Sequence, residues 1–123
     1  TFGILGGGSG RVFSSNVPRS YIQKLSFADE TIARDGNLPE SRQAGAVVTE
    51  PQTAGYFMAG TTPAGSDRSS VDKYTFSTST GSVYPANTLL AKGYQTGMGS
   101  KTAGYVTGGP SGGGAGHSDV KKL

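Results

Sequence analysis

The chain repeats itself, and that repetition limits what it can fold into more than any other feature. Thr53-Ala54-Gly55-Tyr56-Phe57-Met58-Ala59-Gly60 returns 49 residues later as Thr102-Ala103-Gly104-Tyr105-Val106-Thr107-Gly108-Gly109. The same frame stands 52 residues earlier as Thr1-Phe2-Gly3-Ile4-Leu5-Gly6-Gly7-Gly8. A second anchor, Val71-Asp72-Lys73-Tyr74-Thr75-Phe76, matches Ile22-Gln23-Lys24-Leu25-Ser26-Phe27 upstream and Val120-Lys121-Lys122-Leu123 downstream, each 49 residues away. A third pairs Leu38 with Leu90, Gln43 with Gln95 and Gly45 with Gly97. The spacing differences place three-residue insertions between anchors, where loops are expected. The units run 1–52, 53–101 and, in part, 102–123. A unit that buries only part of its surface alone needs stacked neighbours to complete a core.

Each unit divides into extended pieces. Gly55 to Ala59 is a short apolar and aromatic run closed by glycine, which predicts a buried strand and a tight turn. Thr61 to Ser69 is turn chemistry throughout. Val71 to Phe76 alternates β-branched and aromatic residues with others and predicts a second strand. Ser77 to Gly81 turns the chain, and Ser82 to Tyr84 returns as an outer strand ended by Pro85. Tyr94 to Ser100 leads into the next Gly-Tyr strand. The one helix-like stretch, Tyr21 to Ile32, is better explained as strand, turn and strand by its alignment with Ser70 to Gly81. The expected fold class is all-β.

Composition agrees with this reading. Gly, Ser and Thr make up 49 of 123 residues. Only 33% is hydrophobic and 15% charged, against roughly 45–50% and about 25% in an average globular domain. No apolar run approaches the roughly 18 residues of a membrane helix. Without Cys there is no disulfide framework, thiolate metal site or cysteine catalysis. The net charge of +3 is spread along the chain, whereas nucleic-acid binders concentrate theirs on one stripe, so no nucleic-acid partner is expected.

A four-stranded unit of roughly 40–50 residues has the length of one β-propeller blade. The glycine doublet after an apolar strand, then a loop, then a Val-x-x-Tyr strand, resembles a kelch repeat. The wording Gly-Tyr-Phe-x-x-Gly followed by Val-Asp-Lys-x-x-Phe-Ser-Thr is closer still to tandem repeats of bacteriophage and cyanophage structural proteins. Nearly all of the chain takes part. Trp, usual in the outer strand of kelch blades, is absent, and Gly81-Ser82 stands near that place. The resemblance implies kelch-like blades of about 49 residues forming part of a β-propeller. Propellers typically close with four to eight blades. Two units and a part leave open edges, so either a longer chain or an oligomer is expected to close the fold.

Several motifs imitate chemistry. Gly6-Gly7-Gly8-Ser9-Gly10-Arg11 could cradle an anion, but it lacks the Gly-Lys-Ser/Thr ending and a following helix. In Gly97-Met98-Gly99-Ser100-Lys101-Thr102 a serine separates glycine from lysine. The single His117 lies in a Gly/Ser/Ala loop, with Asp119 a thin partner for zinc ligation or general-base work. Asp29-Glu30 reads as a solvated turn pair. Asp67-Arg68 and Asp72-Lys73 read as surface ion pairs. No catalytic residue, metal or cofactor is expected.

The expected function is that of a non-enzymatic structural or binding module in an extracellular or virion setting. Its variable loops (Ser9 to Ser20, Thr61 to Ser69 and Pro110 to Ser118) would recognise a cell-surface glycan or protein subunits of a larger assembly. Candidate contacts are Arg11, Arg19, Arg42, Arg68, Tyr94 and His117. Tyr94 aligns with Arg42, a variable and therefore exposed position, whereas Tyr56 and Tyr105 share the place of Ile4 and are expected to face the core. The alternative is a basic, glycine-rich scaffold or linker holding acidic subunits, whose assembly would be salt-sensitive. A galactose-oxidase type of enzyme shares kelch blades but needs a cross-linked Cys, which this chain lacks.

Overall fold

A computed structural model describes residues 2–6, 9–12, 15–50, 52–87, 91–110, 114 and 116–122. These residues form eleven strands in three antiparallel sheets and, among them, no helix. The all-β class follows directly, and among the described residues no helix is long and apolar enough to cross a membrane.

The middle sheet is a meander of β5 (Ala46–Glu50), β6 (Ala54–Met58), β7 (Ser70–Thr75) and β8 (Thr80–Asn87), in that spatial order. Strand β6 is the continuous apolar run Ala-Gly-Tyr-Phe-Met and is covered on both faces. Such a run suits a strand lying between two other layers. The expected strand ending at Pro85 continues to Asn87 instead. Proline is tolerated there because β8 is an edge strand and the register shifts between Val71↔Tyr84 and Ser70↔Asn87, so the ring falls in a bulge rather than a regular ladder position.

The first sheet comprises β1 (Phe2–Gly6), β2 (Ser9–Val12), β3 (Ser15–Ser26) and β4 (Ile32–Arg42). The twelve-residue β3 pairs with β2 through its first half and with β1 and β4 through its second. Ser9 to Ser20 is therefore a hairpin and not the expected loop. Its sequence hid this because Ser, Asn, Pro and Gly are turn residues, yet cross-strand pairing satisfies their backbone. The third sheet has the order β9 (Thr96–Gly99), β10 (Gly104–Thr107), β11 (Val120–Lys122).

One hairpin occurs three times in the same register. Ile4 faces Lys24, Tyr56 faces Lys73, and Tyr105 faces Lys122. The outer strands agree too: Leu25 pairs with Ile32, and 49 residues on Tyr74 pairs with Gly81. Left-handed backbone recurs at the same interval, at Glu30 and Ser79, Ala59-Gly60 and Gly108-Gly109, Gly65 and Gly114. The bridge Thr61↔Asp67 is repeated as Pro110↔Gly116. The three extra residues of the first unit lie between β1 and β3, in the connection that forms the β2–β3 hairpin.

The sheets stack face to face through two cores. Ile22 and Leu38 of the first sheet pack on Phe57 and Tyr74 of the middle one. On its other face, Ala46, Val48, Met58 and Val71 receive Val106 of the third sheet. Close backbone approach decides one residue outright. A Cβ on Gly81 would stand 2.3 Å from the Asn37 carbonyl oxygen and 3.0 Å from Leu38 Cα, so β8 can lie against β4 only as glycine.

Candidate functional site

Two buried cations tie the strands at the sheet junctions. Arg42, at the end of β4, is buried and donates from Nη1 to the Ala59 and Ser70 carbonyls at 3.0 and 3.2 Å. Its Nη2 donates to Asp72 Oδ2 at 2.7 Å. Glu40 extends the cluster, accepting from Arg68 Nη1 and, at 3.0 Å, from Ser70 Oγ. At the second junction Lys92 is fully buried and its Nζ donates to Asp119.

These cations occupy equivalent places. Val48 faces Tyr56 as Met98 faces Tyr105, and Ala44 and Tyr94 share left-handed backbone. Both relations set a 50-residue interval, which matches Arg42 with Lys92. The expected match of Arg42 with Tyr94 is thereby corrected, and so is the exposure expected of Arg42. Matching Gln43 to Gln95 and Gly45 to Gly97 misled, because glycine identities carry little information in so glycine-rich a chain. Strand pairing sets the register instead. The carboxylate moves with the repeat: Arg42 takes Asp72 as its partner, and Lys92 takes Asp119, which stands at the place of Ser70.

Asp72 is buried, and desolvation pushes its pKa above the ordinary 3.8 although Arg42 pulls it down. Its Oδ1 and Arg42 Nε have no hydrogen-bond partner, so the attraction does not fully offset the loss of water. Asp119 behaves in the opposite way: the Lys92 hydrogen bond holds its pKa below 3.8. A depressed carboxylate pKa contributes stability that is present above the unfolded value and lost as pH falls through the folded one. Acid unfolding of Asp119→Asn is therefore expected to start from a lower neutral-pH stability and to depend less on pH below about 4. Urea titrations at pH 3 and pH 7 measure this, and parallel curves for variant and parent would contradict it.

A cleft of about 200 Å³ opens between the middle and third sheets, lined by Glu50, Tyr56 and Tyr84 on one side and the Ser100–Gly104 turn on the other. The Tyr56 and Tyr84 rings meet edge to face, centroids 5.2 Å apart at 81°. The Tyr56 hydroxyl donates to Glu50 Oε2 at 3.3 Å, and Lys73 Nζ lies 5.7 Å from the ring centroid. Burial pushes the Tyr56 hydroxyl pKa up from 10.0. Opposite, Ser100 Oγ accepts from the Thr102 and Ala103 amides at 3.3 and 3.2 Å, fixing the turn that carries exposed Lys101. The cleft thus offers aromatic edges, a carboxylate and an ammonium to a small polar ligand.

The structure distributes the six sequence-derived candidates unevenly. Arg42 and Arg68 meet at Glu40. Arg19 lies opposite Arg42 in the β3–β4 ladder. Arg11 lies in β2 opposite Asn16, with its side chain outside the described part. Half-buried His117 stands two residues from Asp119. Tyr94 is 73% exposed, as expected of it, and its amide donates to the Ala44 carbonyl at 2.6 Å. Tyr84 and Glu50 were not singled out from sequence, because they meet Tyr56 only across the sheet. Within Pro110 to Ser118, residues 111–113 and 115 lie outside the described ones. Among the described residues no group of three His, Cys, Asp or Glu side chains is placed to hold a metal.

No protein-family model matches the chain, and no curated protein sequence matches it. The class it belongs to rests on its own geometry: an all-β chain of stacked antiparallel sheets sharing one hairpin register.

Proposed function

We propose that the chain is a non-enzymatic structural and binding module, built from kelch-like blades of a β-propeller type, that presents a polar cleft and variable connections for recognition at a virion or other extracellular surface. The observation that carries this reading is the hairpin register shared by three stacked sheets. A framework held constant while its connections differ is the arrangement that places recognition on loops. A glycan is the favoured ligand. The Tyr56 and Tyr84 ring edges supply apolar contact to a sugar, and Glu50 with Lys101 supplies hydrogen-bonding groups for hydroxyls.

The scaffold alternative, in which dispersed cations grip acidic subunits, loses support because Arg42, Arg68 and Lys92 already bind carboxylates within the chain. Titrating the chain with neutral mono- and oligosaccharides while following Tyr56 and Tyr84 ring resonances tests the reading. Saturable shifts are expected, with Tyr84→Ala weakening binding about tenfold, a loss of roughly 1.4 kcal/mol. Absence of any shift at millimolar sugar, with the fold intact by circular dichroism, would remove the glycan reading.

A further inference from the structure

Asp35-Gly36 is the only place in the chain where an aspartate or asparagine precedes a glycine, and it lies at the junction of the first and middle sheets. Arg34 pairs with Gln23 and Gly36 with Ile22, which leaves Asp35 as the unpaired residue of a bulge in β4. A bulge re-aims a side chain, and this one sends the Asp35 carboxylate to the neighbouring sheet. There Tyr74 Oη donates to Oδ2 at 2.8 Å and Ser79 Oγ donates to Oδ1 at 3.1 Å, one hydroxyl on each oxygen. Gly36 lies against the same two residues. A Cβ on it would stand 2.5 Å from the Ser79 carbonyl oxygen and 2.6 Å from Tyr74 Oη, so the packing demands glycine.

A side-chain carboxyl next to a glycine amide is set up for one spontaneous reaction. The Gly36 nitrogen attacks Asp35 Cγ, and the carboxyl hydroxyl leaves as water with the amide proton. A five-membered succinimide results. Water then adds to the imide carbonyl that had been the Asp35 main-chain carbonyl and breaks its bond to the Gly36 nitrogen. The chain thereafter runs through the former side chain as isoaspartate, with no net gain or loss of atoms. Glycine, having no Cβ, offers the least hindered nitrogen for the attack. Ring closure requires Cγ to swing onto that nitrogen, and a carboxylate held at both oxygens from another sheet is kept from that swing.

We propose that Asp35 is a modification site, isomerising spontaneously to isoaspartate, and that Tyr74 and Ser79 hold the reaction in check while the first sheet stays stacked on the middle one. The packing that requires glycine at position 36 creates the labile pair, and the two hydroxyls of the facing sheet contain it. Local opening of the junction, which takes less free energy than global unfolding, releases the carboxylate. Once isomerised, β4 carries an extra main-chain carbon and the carboxylate sits one carbon closer to the backbone. Neither hydroxyl then recovers its partner, so a passing separation of the two sheets becomes permanent. The proposal goes beyond the recognition reading and does not depend on what the cleft binds.

Incubation of the full 123-residue chain in warm neutral buffer, followed by digestion and mass spectrometry, is the test. The isoaspartyl peptide keeps its mass but elutes apart from the parent peptide and fragments differently. Slow conversion is expected in the folded parent and fast conversion in the same chain held unfolded in urea. Tyr74→Phe, which keeps the ring, and Ser79→Ala should each raise the rate at least about fivefold, as loss of one hydrogen bond implies. Val106→Ala loosens the other core and should leave the rate near that of the parent, while Asp35→Glu should abolish the product. Circular dichroism verifies that each variant is folded, and the comparison of parent with and without urea needs no variant. A parent that converts as fast folded as unfolded overturns the proposal, and so does an unfolded chain that does not convert. Equal acceleration by Val106→Ala and Tyr74→Phe would overturn it too, because general stability and not the hydroxyl pair would then set the rate.

Discussion

Replacing Asp72 with alanine is expected to destabilise the protein by about 3–5 kcal/mol, a large fraction of the roughly 5–15 kcal/mol by which an ordinary domain is stable. The aspartate is fully buried, and its Oδ2 accepts from Arg42 Nη2 at 2.7 Å. Removing it leaves a guanidinium in the junction with the Ala59 and Ser70 carbonyls and the more distant Glu40 as partners. The pair itself is a poor source of stability, because desolvation raises the Asp72 pKa despite the adjacent cation. A double variant, Arg42→Met with Asp72→Leu, is accordingly expected to recover most of the loss or to exceed the parent.

The pH dependence has a definite sign. A carboxyl whose folded pKa is raised binds its proton more tightly in the folded state, so its contribution is complete below the unfolded value and is lost as pH rises through the folded one. Relative to Asp72→Asn, the parent should therefore lose stability as pH climbs from 3.8 toward neutrality. Urea midpoints over that range measure it. A double variant no more stable than the single one would sink this account of the junction.

Tyr74→Ala is the second large effect, with an expected cost of about 3–5 kcal/mol from lost burial and a cavity between the first and middle sheets. Tyr74 is fully buried beside Ile22, Leu38 and Phe57. Its hydroxyl donates to Asp35 Oδ2 at 2.8 Å, and Ser79 Oγ donates to the other oxygen of that carboxylate at 3.1 Å. Tyr74→Phe keeps the packing and removes one hydrogen bond, so about 1 kcal/mol is expected. Burial and the Asp35 carboxylate push the phenol pKa from 10.0 up to about 12. Its contribution is complete below 10.0 and lost as pH rises through about 12, so Tyr74→Phe should remove part of the alkaline unfolding. Thermal denaturation of both variants separates packing from hydrogen bonding, and equal losses would contradict the separation.

Much of the middle sheet was legible in the residues alone. The Gly55-Tyr56-Phe57-Met58 run, the Val71–Phe76 alternation and the turn after it became β6, β7 and the left-handed turn at Ser79. The stretch from Tyr21 to Ile32 is strand, turn and strand, as its alignment with the second unit predicts. Two misjudged places share one cause. Ser9 to Ser20 and Pro85 have poor strand propensity, but pairing with a partner strand, or a bulge on an edge, outweighs local preference. The cleft was missed because Tyr84 comes from β8, Tyr56 and Glu50 flank the β5–β6 hairpin, and the facing turn belongs to another sheet.

What the sequence by itself determined is the repeating hairpin: its period, its strand content, the glycines at its turns, and hence an all-β fold of like units. These follow from local periodicity and turn chemistry, which act within a few residues of the chain. Which face each sheet turns to its neighbour, and that Arg42 and Lys92 lie buried beside Asp72 and Asp119, only the tertiary structure decided. An arginine in a loop and one in a sheet junction are the same letter in a sequence. The difference is made by strands up to 30 residues apart that remove water from around the charge and leave a carboxylate as its partner.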